Sequence, residues 1–329
     1  MHGDRRTFLY AALCGLASLP ALPAVVLACP VGKGQRVKAS RALMGTFVSI
    51  TAVHQDRDLA QEACDTALDE MARLAALLNR HDPASPLSRL NREGVLASPP
   101  PALTTVLDLA LGLGRTTAGA FDPTVTPLVE LVRSAAREHR APDPAETAAA
   151  LELVDVSAVS ADRDLVRLER SGMALTFDGT AKGWIADQGS RVLAEMGVAR
   201  HLIDAGGDLV AKGGRGDGPW RVAIQDPDGQ GWVGVAALQN GCMATSGSSQ
   251  TSTPYGHHLV DPATGRCPEA VAQVTVLADS LAVADGLATG LFVTPPSRAW
   301  RLATSLPGAE ALFLGPDKAR TATPGFPLA

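Results

Sequence analysis

The chain has 329 residues, 46% of them hydrophobic, with a formal net charge of −5 at pH 7. That length supplies a sizeable buried core. The mild acidity, with no block of Lys or Arg, argues against a nucleic-acid footprint, and aromatics at 4% leave no base-stacking surface.

Residues 1–29 read as a targeting segment. Arg5-Arg6-Thr7-Phe8-Leu9 has the twin-arginine form, and an apolar run from Tyr10 to Ala28 follows, broken by Gly15, Pro20 and Pro23. A charged start, a short apolar stretch and a small residue near its end describe an export signal, so the expected location is the periplasm. The two prolines argue against a membrane-anchor helix. Cys29 is a candidate lipid anchor, although Leu27 fits that pattern imperfectly. Residues 30–42, rich in Gly, Lys and Arg, read as a linker, with one folded domain over 43–329.

A strand is predicted over 46–53. A helix is predicted over 57–78, where Ala60, Ala63, Ala67, Met71, Leu74 and Leu78 recur at three- and four-residue steps. Residues 79–91, with Pro83 and Pro86, read as a polar loop. Ser98 is a candidate cap for a helix over 102–117 ended by Gly119. Helices over 128–137 and 145–153 follow, the second capped by Asp143. Residues 164–168 and 174–177 read as a hairpin pair, and 183–196 as a helix. Strands are predicted at 201–204, 209–212, 221–225, 234–238, 242–246, 258–260 and 274–278. Ser280 then caps a helix, and a helix over 297–304 precedes a strand over 310–314. Strands that follow one another without intervening helices favour an α+β fold with mixed or antiparallel sheets and packed helices. Outside the targeting segment Cys64, Cys242 and Cys267 include no C-x-x-C, so no zinc site or disulfide framework follows.

Five motifs carry chemistry, and each has a plainer reading. Asp285 and Thr289 stand four residues apart on the Ser280-capped helix. They share a face and offer hard oxygens suited to Mg²⁺, or form a local hydrogen bond on a solvated face. Gly179-Thr180-Ala181-Lys182-Gly183 opens a helix. It is either a phosphate cradle of free N–H groups plus a lysine or a glycine-rich turn with a surface Lys. Ala205-Gly206-Gly207-Asp208 permits close backbone approach or is a tight hairpin turn. His257-His258-Leu259-Val260-Asp261-Pro262-Ala263-Thr264-Gly265 offers an imidazole for proton transfer or an ordinary exposed histidine. In Gly119–Leu128, Asp122 either binds a ligand or closes an Asx-turn before Pro123. No Gly-x-Ser-x-Gly elbow or Walker loop stands in the sequence, and no G-x-G-x-x-G opens a Rossmann unit.

Taken in order with Leu43-Met44-Gly45-Thr46, Ser85–Asn91 and Thr245-Ser246-Gly247, these motifs resemble the FAD:protein FMN transferase family, also called the ApbE family. The set runs from about residue 43 to 293. The resemblance implies an ApbE-like fold and a Mg²⁺-dependent transfer of FMN from FAD onto a Ser or Thr of an acceptor flavoprotein, with release of AMP. It implies metal ligands at Asp285, Thr289 and the Gly179 carbonyl. It places FAD against Lys182, Met44, His81, Ala120, Phe121, Asp122, Thr176 and Leu259, and makes His258 the group that takes the acceptor's proton. Thr176 stands where the family usually has Asp, with Asp178 two residues later; His81 replaces a flavin-stacking aromatic; Ser248-Ser249 replaces an Asp-Tyr segment. Relatives exported by the twin-arginine route accompany nitrous oxide reductase systems, which points to a membrane-bound electron-transfer or nitrous-oxide-reductase-associated acceptor. The alternatives are an FAD pyrophosphatase using water in place of the hydroxyl, and a non-catalytic flavin carrier.

Overall fold

The computed structural model describes residues 34–249 and 253–328; the targeting segment, including Cys29, lies outside the described residues. In chain order the first elements are β1 (Gln35–Leu43), β2 (Thr46–His54), α1 (Arg57–Leu78), α2 (Pro86–Glu93), β3 (Val95–Ala97), α3 (Pro101–Thr116), α4 (Thr126–Arg137) and α5 (Pro144–Leu151). Then come β4 (Val159–Ala161), β5 (Leu165–Leu168), α6 (Ala181–Glu195), β6 (His201–Ala205), β7 (Leu209–Lys212), β8 (Trp220–Gln225) and β9 (Trp232–Leu238). The last are β10 (Gly241–Gly247), β11 (Gln273–Ala278), α7 (Leu281–Val293), α8 (Pro296–Ser305), β12 (Glu310–Leu314) and β13 (Arg320–Ala322). No helix among the described residues is long and apolar enough to cross a membrane.

An eight-stranded sheet, β1-β2-β6-β7-β10-β11-β12-β13, forms the centre, and every pairing within it is antiparallel. Alternation along its strands sends residues to two cores. Ile203, Val210, Cys242 and Ala244 face a helical layer with α1, α6 and α7. Leu202, Leu209, Ala211 and Met243 face the β8–β9 hairpin around Trp220. The indole is fully buried, and its Nε1–H donates to the Lys212 carbonyl at 3.1 Å.

The predicted α+β architecture is the one observed, with five local corrections. The expected linker includes β1, whose partner is β2 over its whole length. The loop over 79–91 gives way to α2, because Pro86 occupies the first turn and Ser85 Oγ accepts the Ser88 N–H at 3.0 Å. Ser98 does not cap α3, which begins after Pro100 with no side-chain cap. Residues 174–177 are not a strand, and β5 pairs instead with β3 and β4. Residues 258–260 are likewise irregular. The three cysteines outside the targeting segment are all free.

Helices α6 and α7 position the site by exchanging carboxylates at their N-termini. Asp187 of α6 accepts from Ser280 Oγ at 2.8 Å and from the Leu281 and Ala282 N–H groups at 3.0 Å each. Asp285 of α7 accepts the Gly183 N–H at 3.2 Å. Each acid thus meets the positive end of the other helix. Their close crossing depends on Gly183, where a Cβ would lie 2.5 Å from the Leu281 carbonyl oxygen and 2.8 Å from Ala282 Cα. Gly183→Ala is expected to destabilise the protein by about 1–3 kcal/mol, since only backbone displacement relieves the clash. A thermal or urea melt measures it, and an unchanged midpoint contradicts the packing account.

Burial also sets an acid sensitivity. His201 is 1% exposed, with Nδ1 2.8 Å from the Val198 carbonyl and Nε2 2.8 Å from Ser190 Oγ. Desolvation pushes its pKa from 6.5 down to about 4. Above pH 6.5 the ring is neutral in both folded and unfolded chains, and stability is undiminished. Between 6.5 and about 4 only the unfolded chain takes up the proton, so stability falls by at most ~1.4 kcal/mol per pH unit. Urea midpoints at pH 7 and pH 5 should differ, and His201→Gln should narrow the difference.

Candidate active site

A cavity of about 320 Å³ opens where α6, α7, β10 and the loops at 120–125, 176–180 and 258–262 meet. Phe121, Asp122, Thr176, Gly179, Lys182, His258, Leu259, Asp285 and Thr289 all line it, together with Ala120. Segments far apart in the sequence therefore converge.

Asp285 and Thr289 come from a helix that is apolar almost all round, and Asp285 is its only charged residue. The carboxylate, with its residue 6% exposed, is expensive to keep ionised. Burial raises its pKa, opposed by the charge of Lys182 and the Gly183 N–H. Thr289 Oγ1 lies 3.3 Å from Ser246 Oγ. At Gly179 a Cβ would stand 3.0 Å from Thr289 Oγ1 and 3.1 Å from Phe121 Cε2, so the backbone approaches the hydroxyl with little room for a side chain. A carboxylate, a hydroxyl and a backbone carbonyl make a hard-oxygen donor set. Magnesium completes such sets with substrate phosphates and water. Among the described residues no group of three or more His, Cys, Asp or Glu could hold a metal, so a cation here would rest on Asp285 as its protein carboxylate.

Lys182 stands at the start of α6, but its ammonium is ion-paired with Asp208, which is 3% exposed and also accepts the Thr245 N–H at 3.0 Å. Of the two readings of this motif, the glycine-rich turn fits better than the phosphate cradle. Its Gly183 N–H is taken by Asp285, Thr180 Oγ1 donates to the Ala282 carbonyl at 3.0 Å, and no strand precedes the turn. Ala205–Asp208 is a hairpin turn between β6 and β7 that also delivers Asp208 to Lys182.

His257 and His258 divide their roles. His257 is buried: its Nε2 is 3.0 Å from the Pro268 carbonyl, its Nδ1 accepts the Leu259 N–H at 3.2 Å, and its ring meets Phe292 edge-on. It props the loop. His258 faces the cavity and is solvent-accessible, yet protein atoms surround it. That enclosure, followed by neighbouring His257, lowers its pKa to about 4. The ring is therefore neutral near pH 7 and able to accept a proton.

A model of the ApbE family matches residues 44–313. The chain belongs to the ApbE family. It is similar to the FAD:protein FMN transferase of Vibrio cholerae, 30% identical over 88% of this chain and 90% of that protein. It is 31% identical to the Salmonella typhimurium protein of the same name, over 78% of each chain. Among solved structures, flavin transferase ApbE from Vibrio cholerae superposes with a TM-score of 0.77 at 28% identity, over 90% of this chain and 100% of that one. An ApbE protein from Thermotoga maritima gives 0.80 at 25% identity, over 88% and 97%.

Two residues that the ApbE resemblance assigns to FAD lie outside the cavity lining. Met44 occupies the tight turn between β1 and β2, with φ of 54°, half-buried beside the helical core. His81 is exposed, its N–H bound to Asn79 Oδ1 at 3.0 Å. Asp122 follows the Asx-turn reading: its Oδ1 accepts the Thr124 N–H at 2.7 Å and hydroxyl at 2.6 Å while its side chain still borders the cavity. Thr176 Oγ1 accepts the Asp178 N–H at 3.1 Å. Arg80, Arg133 and Ser246 line the cavity without having been singled out as site residues. Nothing in the local sequence pattern marks the two arginines, which arrive there through packing, whereas Ser246 belongs to the Thr245-Ser246-Gly247 motif.

Proposed function

We propose that this ApbE-family chain moves the FMN part of FAD onto a Ser or Thr hydroxyl of an acceptor flavoprotein, with Mg²⁺ as cofactor, and releases AMP. The convergence of Asp285, Thr289 and Gly179 with His258 at one cavity is the observation that carries this reading. The acceptor hydroxyl oxygen bonds to the FMN-side phosphorus, and the phosphorus–oxygen bond to the AMP side breaks. The hydroxyl proton passes to the neutral His258 imidazole. Asp285, Thr289 and the Gly179 carbonyl would hold the metal, which when bound offsets charge on the diphosphate oxygens. Phe121 and Leu259 supply apolar wall and exclude water. Residues 1–29 act in this reading as an export signal, so the acceptor meets the enzyme outside the cytoplasm.

The test incubates the protein with FAD, Mg²⁺ and a flavoprotein offering a Ser or Thr acceptor. Flavin fluorescence on the acceptor band of a denaturing gel, with one AMP per label, is the expected result. AMP and free FMN without labelling of any acceptor would instead establish the hydrolase. FAD binding without AMP release would establish a carrier.

A further inference from the structure

Arg80 borders the cavity with a side chain only 6% exposed. Its Nε donates to Asp178 Oδ2 at 2.7 Å and its Nη1 to Glu130 Oε1 at 2.6 Å. Arg133 Nη1 reaches the same Glu130 oxygen at 3.2 Å. The network joins three segments: the residue after the Asn79 cap of α1, helix α4, and the loop entering α6. Ser88 Oγ donates to the Arg80 carbonyl at 2.9 Å, which fixes the backbone there. The Asp178 carboxylate is 59% exposed, borders the cavity and immediately precedes Gly179. Its charge raises the proton affinity of both Asp285 and His258, so its field reaches the two groups the reaction needs. Lys182, the cation beside Asp285, is committed to Asp208. A dianionic diphosphate brought to this cavity would meet Asp178 as a like charge.

We propose that Arg80 is a positioning residue for the transfer: by holding the Asp178 carboxylate against α4, it keeps that charge off the space a dinucleotide diphosphate must occupy. A guanidinium suits the task because one rigid fork engages two carboxylates at once. The inference rests on the proposed function, since only an FAD-like substrate brings a diphosphate here.

Fluorescence anisotropy of FAD, titrated with protein in the presence of Mg²⁺, tests it on the parent, Arg80→Gln, Arg80→Lys and the double variant Arg80→Gln/Asp178→Asn. Arg80→Gln is expected to weaken FAD binding about tenfold or more. Arg80→Lys, which keeps the charge, should stay within about threefold of the parent, and the double variant should return to that range. Added NaCl should narrow the gap between Arg80→Gln and the parent, because salt screens a repulsion. A merely bridging Arg80 would leave the double variant as weak as Arg80→Gln, since both lack the ion pair, and that result overturns the proposal. Equal affinities of parent and Arg80→Gln overturn it too. Should Arg80→Gln fail to fold, the Lys and double variants decide by the same criterion. A parent that binds no FAD removes the transferase reading itself.

Discussion

Asp285→Asn is expected to fold as well as the parent and to lose roughly 10²-fold or more of its transfer rate. Two roles are superposed on this carboxylate. One is structural: it accepts the Gly183 N–H at the start of α6. The other, on the proposed function, is chemical: a carboxylate bordering the cavity, four residues from Thr289, in a helix with no other charge. Asparagine separates them, because its amide oxygen still accepts an N–H while the charge is gone. Removing a buried anion also removes its desolvation cost, so the melting temperature should hold or rise. The parent should gain thermal stability from Mg²⁺ with FAD, as any ligand that binds only the folded state confers, and the Asn variant should lose most of that gain. If Asp285→Asn transfers FMN at the parental rate, the carboxylate is only a helix cap and no metal rests on it.

His258→Gln is expected to lower the transfer rate by about 10²–10⁴-fold, the usual range for a general base, while leaving FAD affinity within a few-fold. The pH dependence is the sharper measurement. A base must be unprotonated to act. With its pKa lowered to about 4, His258 in the free enzyme stays competent throughout the neutral range, and kcat/KM should decline only as pH falls towards that value. Bound diphosphate brings negative charge near the ring and favours its protonated form. The acid limb of kcat should therefore sit at higher pH than that of kcat/KM. In His258→Gln both acid limbs should disappear from whatever activity remains. Identical profiles for parent and variant would assign the proton to another group.

Elements governed by a repeating local pattern were legible in the sequence. Helix α1 has the predicted bounds because Ala60 through Leu78 bury one face at helical spacing. Helix α5 carries a capping box of Asp143 and Glu146, and Ser280 caps α7, its Oγ accepting the Val283 N–H at 3.4 Å. The misread segments share one cause: a local signal that a distant partner overrides. Strand β1 carries Arg36, Lys38 and Arg41 because it is an edge, where charged side chains are expected, and so it reads as a linker. Met173, Leu175 and Phe177 alternate like a strand, but Leu175 pairs with a side chain. Its N–H donates to Asn91 Oδ1 at 2.7 Å, and its carbonyl accepts from Asn91 Nδ2 at 2.8 Å. One asparagine thus does the work of a neighbouring strand.

The sequence by itself determined the family and the groups to which the proposed chemistry is assigned. Helical periodicity puts Asp285 and Thr289 on one face whatever surrounds them, and the ordered motifs from Met44 to Thr289 mark the ApbE family. Tertiary structure alone decided how those charges are spent: Asp285 against the α6 N-terminus, Lys182 on Asp208, Arg80 on Asp178 and Glu130. The reason is one of range. Periodicity and caps are settled within a few residues, whereas the Arg80–Asp178 pair spans 98 positions and exists only because the helical layer packs closely enough, at contacts such as Gly183 against Leu281, to bring its ends together.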